Sequence, residues 1–166
     1  TKIVAVYPNG APTPTETVVF EYKFDNGNME NLSVVFHQDK GSQGTFDPTG
    51  GSLALKISKP GTDNWHAQIT RAVSFEQNVT YKLTCKVKST VSGNMVIWFD
   101  DPDNSHAVRV DNPPTVGLTA SDNFVNVEVN ITPNQTDQTG RFVINFGLIP
   151  EGTIHIDDLK LVKKNN

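Results

Sequence analysis

Short hydrophobic runs of period two, broken at close intervals by turn residues, constrain this chain more than any other feature of it. They recur as "VVFEYKF", "SLALKIS", "HAQITRAVSF", "YKLTCKVKS", "MVIWF", "HAVRV", "FVNVEVNI", "RFVINFGL" and "TIHIDDLKLV". Alternation places successive side chains on opposite faces of a strand, and no long stretch shows the 3.6-residue period of a helix. The pattern predicts an all-β fold, an antiparallel β-sandwich or barrel. At 166 residues the chain suits one core. The opening "TKIVAVYPNGAPTPTET" carries Pro8, Pro12 and Pro14 and reads as an extended arm or linker over 1–17, ahead of a domain over 18–166.

Charge narrows the partners. The formal net charge is -4, so no cationic field draws phosphate backbones or anionic lipid, and neither nucleic acid nor a membrane surface is an expected partner. A neutral ligand fits more easily. No apolar run approaches the roughly 20 residues that cross a bilayer, so a soluble chain is expected, with any export signal upstream or removed. Cys85 shares strand parity with Tyr81, Leu83 and Val87, which predicts a buried thiol rather than a nucleophile.

Parity also assigns faces. Val125, Val127, Val129 and Ile131 are expected inward, with Asn126, Glu128 and Asn130 in water. Phe142, Ile144 and Phe146 make a core stripe, which sends Arg141, Val143 and Asn145 to the opposite face. Ile97 and Phe99 do the same for "MVIWF" and leave Val96, Trp98 and Asp100 outside. In "GTDNWHAQITRAVSF", His66, Gln68 and Thr70 point outward behind Trp65. The alternatives are that Trp98 turns inward or lies under the N-terminal arm, and that Trp65 caps one end of the sandwich. If these strands adjoin, they form a polar floor with aromatic walls. Sugars present hydroxyl edges and apolar C–H faces, so amide, carboxylate or guanidinium groups in the plane and indoles against the faces suit them.

The stretch "GGSLALKISKPGTDNWHAQITRAVSFEQNVTYKLTCKVKS" resembles the signature region of carbohydrate-binding modules of the family 4, 9 and 22 group. It has the small-apolar strand, the Trp-x-x-Gln step and a strand entered through Thr-Tyr; "YKFDNGNMENL", "VINFG" and "IHIDDLKLV" follow the order of that group over about residues 18 to 163. The resemblance implies a jelly roll with a glycan-binding groove on a concave sheet. It matches Trp65, Gln68 and Asn145 to positions that contact polysaccharide, and sets Trp98, Asp100, His106 and Arg109 in the strands and loop around the groove, where parity already places Arg141. It further implies a structural Ca²⁺ held by Asp25 and Asp157, with backbone carbonyls near Lys23 and in "TGGS". Turn-forming aspartates without a metal are the alternative.

Two tryptophans are too few for a flat platform on crystalline cellulose, so single soluble chains are the expected ligand, xylan ahead of β-glucan. The function expected is a monomeric, non-catalytic module that holds an attached glycoside hydrolase on its polymer, outside the cell or at its surface. The alternatives are a structural or adhesive spacer and, further off, an enzyme. Glycoside hydrolysis needs two carboxylates at a defined separation, and only Asp100 falls in the proposed groove.

Overall fold

A computed structural model describes residues 15–165. Among them twelve strands occur: β1 Glu16–Tyr22, β2 Ser33–Phe36, β3 Gln43–Asp47, β4 Leu53–Lys59, β5 Ala67–Ala72, β6 Tyr81–Ser89, β7 Gly93–Asp101, β8 Ala107–Val108, β9 Thr115–Leu118, β10 Val125–Ile131, β11 Arg141–Asn145 and β12 Gly152–Lys164. Every paired neighbour is antiparallel. The first sheet runs β10-β6-β12-β4-β3, with β1 also on β12; the second runs β2-β5-β11-β7-β8, with β9 also on β7. The fold is the expected jelly-roll sandwich. Residues 1–14 of the expected arm lie outside the described residues, but its last two positions, Glu16 and Thr17, belong to β1, where they pair with Lys164 and Lys163.

The core forms where the alternation demands it. Leu53, Leu55, Ile154, Ile156 and Leu161 from the first sheet and Ile69, Ile97, Phe99, Phe142 and Ile144 from the second are fully buried. Phe99 sits at the centre of an aromatic knot, with ring centroids 4.8 Å from Phe75, 5.1 Å from Tyr81 and 5.9 Å from Phe142. Such tilted and edge contacts add to the area buried by each ring. Cys85 is buried as parity predicts, and desolvation pushes its thiol up to about 12, far from a reactive thiolate.

One expected core face is only half made. Ile131 is buried and Val127 and Val129 are half-buried, but Val125 is 53% exposed. The strand parity is right, since Val125 lies opposite the buried Val87. However, β10 is an edge strand flanked by β6 alone, and the core reaches only its far end. The alternation also passed over β2, β3 and β9, which span four or five residues and are interrupted by Ser or Gly.

Candidate functional site

The second sheet brings the outward residues of five strands into rows across its open face. Ala72, Arg141, Asp100 and Val108 form one row; Ser33, Thr70, Val143 and Trp98 form the next; Val35, Gln68, Asn145 and Val96 form a third. Partners in a ladder point to the same side, so these rows are the floor of whatever lies above the sheet. A cleft of about 410 Å³ lies there, lined by His37, Trp65, Gln68, Trp98, Asp100, Ser105, His106, Val108 and Arg141. Six of the eight residues expected at a groove line it. Trp65 and Trp98 are both half-buried, so neither indole is sealed in the core.

Trp65 stands on a short 3-10 turn, Asn64–His66, just before β5. The turn is fastened on every side. The carboxylate of Asp63 accepts from the Asn64 N–H, the His66 ring Nδ1 accepts from the Thr62 N–H at 3.1 Å, and the Gly147 N–H donates to the Asn64 carbonyl at 2.8 Å. Gly147 is required for that close approach, because a Cβ there would stand 2.3 Å from the Asp63 carbonyl oxygen. The indole lies edge-on to two imidazoles, with centroids 4.4 Å from His66 and 5.4 Å from His37. His66, expected to head an outward row, is instead buried and serves the loop.

The floor beneath the cleft is polar and already bonded to itself. Gln68 Nε2 donates to Asn145 Oδ1 at 2.9 Å, Asn145 Nδ2 donates to the Val96 carbonyl at 2.9 Å, and Gln68 Oε1 meets His37 Nε2 at 3.3 Å. Asp100, 1% exposed, takes Arg141 Nε at 2.9 Å on Oδ1 and Arg141 Nη2 at 2.7 Å on Oδ2. The Trp98 indole N–H also donates to Asp100 Oδ2, at 3.3 Å. A two-pronged guanidinium pair of this kind is strong and fixes direction. Here it locks the indole as well, so Trp98 offers the cleft its ring face and not its donor.

Two expected contact residues therefore have other tasks. Asn145 is fully buried and does not line the cleft; it holds Gln68 in place. Arg109 is turned away from the cleft, because Val108 faces the cleft beside Asp100 and alternation sends the next residue to the side of Asp101, where Arg109 Nη2 pairs with Asp101 Oδ2 at 2.6 Å. That pair closes the loop that carries Ser105 and His106 to the rim, and it holds the Asp101 carboxyl below the usual range. Ser105 and His106 both take left-handed backbone, with φ of 51° and 56°, which turns the chain back over the sheet. Among the described residues, Asp100 is the one carboxylate in the lining of the cleft and has both oxygens in these bonds, whereas glycoside cleavage uses two carboxylates across the scissile bond.

Sequence reasoning missed His37, Ser105 and Val108. His37 had a signal: it shares parity with Ser33 and Val35 just past β2, a strand too short to be noticed. Outside the lining of the cleft, the segments matched to a Ca²⁺ site come together. Tyr22 pairs with Leu159 and Leu53 with Ile156, while Gly27 packs against Pro48 and Thr49. Asp25, Lys23 and Asn28 line a second cavity of about 280 Å³ there. Lys23 points its ammonium at Glu21, 3.8 Å away, and Asp157 Oδ1 accepts from the Asp158 N–H. Among the described residues no three His, Cys, Asp or Glu side chains are grouped to hold a metal, so any cation here would rest largely on backbone carbonyls.

Comparison with known proteins agrees with this geometry. No curated protein sequence matches the chain. A solved structure described as CBM4 structure and function superposes with a TM-score of 0.69 at 20% identity, covering 80% of this chain and 86% of that one. A cellulose-binding domain of Cellulomonas fimi β-1,4-glucanase C gives 0.61 at 18% identity over 94% and 99%. A CBM22 xylan-binding domain from Paenibacillus barcinonensis gives 0.56 at 11% identity over 93% and 99%. At these identities the likeness is one of fold. The family profile described as a carbohydrate binding domain, CBM 4/9, matches residues 16–153, and the chain belongs to that family of carbohydrate-binding modules.

Proposed function

We propose that this module binds single, uncharged polysaccharide chains in the cleft of the second sheet, xylan first and β-glucan second. The observation that carries the reading is the pair of half-buried indoles, Trp65 and Trp98, set on the same cleft over a floor whose charges cancel in the Asp100–Arg141 pair. Indole faces suit the C–H faces of pyranose rings, and burying about 100 Å² on one of them contributes roughly 2.5 kcal/mol before entropic losses. A few such contacts bring the expected affinity to the micromolar to millimolar range. Xylan is placed first because its rings lack the bulky C6 hydroxymethyl, which suits a cleft that carries two indoles among many polar groups. Two fold neighbours, one a xylan-binding domain and one a cellulose-binding domain, are consistent with either glycan.

In this reading the module works as part of a secreted or surface-bound modular protein and raises the local concentration of polymer around an attached glycoside hydrolase. A structural Ca²⁺ at the Asp25, Lys23 carbonyl and Asp157 end belongs to the same proposal. It would tie β1 to β12 away from the cleft, and chelation would then lower the melting temperature without changing ligand binding. Titrating the domain with xylan, xylo-oligosaccharides and β-glucan while following Trp fluorescence tests the function. A saturable shift with a glycan is expected. No shift with any of them would favour a structural spacer, and release of sugar would make the protein an enzyme.

A further inference from the structure

The bonding of the floor has a direction, and it fixes which ring nitrogen of a histidine at the cleft wall faces the floor as a donor. The Val96 carbonyl can only accept, so the Asn145 group that faces it is the NH₂, and Asn145 Oδ1 faces Gln68. Gln68 must then present its own NH₂ to that oxygen and its Oε1 to His37. An amide oxygen only accepts, which requires the proton on His37 Nε2. In the neutral ring this leaves Nδ1 as a bare acceptor, and no described residue bonds it.

We propose that His37 Nδ1 is a hydrogen-bond acceptor subsite for a glycan hydroxyl, its tautomer set by the relay from the Val96 carbonyl through Asn145 and Gln68. This rests on the glycan reading above and assigns a recognition role to a residue outside the set matched by resemblance. Its importance follows from what the cleft has left to offer. Both Asp100 oxygens are engaged and Asn145 is sealed, whereas Arg141 and Gln68 retain spare N–H groups. A sugar hydroxyl that donates needs an acceptor, and beyond the loop residues Ser105 and His106 the cleft lining offers one at His37. His37 supplies one beside Trp65, whose ring lies 5.4 Å from it, so a hydroxyl bonded to Nδ1 belongs to the same sugar that covers the indole.

Imidazole ¹⁵N NMR of the domain at pH 8 reads the tautomer directly, first without ligand and then with xylohexaose or cellohexaose. The expected result is a protonated Nε2 and an unprotonated Nδ1 on His37, with the Nδ1 resonance moving as the hexaose binds. His37→Ala should weaken binding about tenfold, and Gln68→Met, which removes the acceptor from Nε2, should let both tautomers appear. An Nδ1–H tautomer in the wild type, an Nδ1 signal unmoved by a bound hexaose, or undiminished binding by His37→Ala would overturn the subsite alone. Failure of the wild type to bind either hexaose would overturn the glycan reading and the subsite with it.

Discussion

The two sheets are built by one alternating pattern, yet their outer faces differ in how they treat polar side chains. On the first sheet the residues opposite the core include Lys56 on β4, Lys86 on β6 and Glu128 on β10, all exposed. On the second the corresponding positions are Gln68, Thr70, Asp100 and Asn145, at 5, 8, 1 and 0% exposure. Alternation reports which way a side chain points, not whether water reaches it. Long lysines keep their charge hydrated, whereas short amides and a paired carboxylate can satisfy one another and be closed over by loops. A face that spends its polar groups on each other is rigid before any ligand arrives, and the indoles above it are held in place at no cost on binding.

Removing a member of that bonded floor should produce the largest effect. Asp100→Ala strips Arg141 of both its bonds and frees the Trp98 indole; we expect a loss of about 3 kcal/mol in unfolding free energy, the low end for a broken buried pair, since Arg141 is 21% exposed. Lys86→Ala, on the other outer face, should change stability by less than about 0.5 kcal/mol by the same denaturant titration. Equal losses would erase the distinction between the sheets.

Trp65→Ala comes next and acts on binding. The indole lies on a turn outside the core, so the fold should remain while affinity for xylohexaose falls by about 2.5 kcal/mol, close to a hundredfold, by calorimetry. The smallest effect belongs to the first sheet. Burial and, after it, the charge of Lys88 hold His155 below its ordinary value, so the folded state favours the neutral ring, whose Nδ1 lies 3.0 Å from Ser52 Oγ. Its contribution is present above pH 6.5 and is lost as the pH falls through the lowered folded value. Melting temperatures between pH 7.5 and 5 should therefore fall less in His155→Gln than in the wild type, with glycan affinity unaltered by the substitution.

Much of this architecture is legible in the sequence because it depends on parity alone. Ile97 and Phe99 point inward and Trp98 and Asp100 outward, as "MVIWF" followed by Asp implies. What parity cannot supply is the path of loops and the trade between charges. "HAVRV" reads as a strand, but its register on β7 is not visible locally: Val108 lands beside Asp100 on the cleft face, so Arg109 falls on the other side, against Asp101. Asn145 has the outward parity of a contact residue, yet a backbone carbonyl and a neighbouring amide claim it first. His37 enters the cleft only because β2 pairs with β5, a partnership between short segments that no local pattern announces.

The central claim is that ligand lies on the second sheet, against Trp65 and Trp98 and above the Gln68 amide. Backbone and indole NMR shift mapping during titration with xylohexaose addresses it most directly. The account predicts that Trp65, Gln68, Trp98, His106 and Arg141 move while Lys56, Lys86 and Glu128 do not. Shifts gathered on the lysine face, with both indoles unmoved by a bound hexaose, would contradict it.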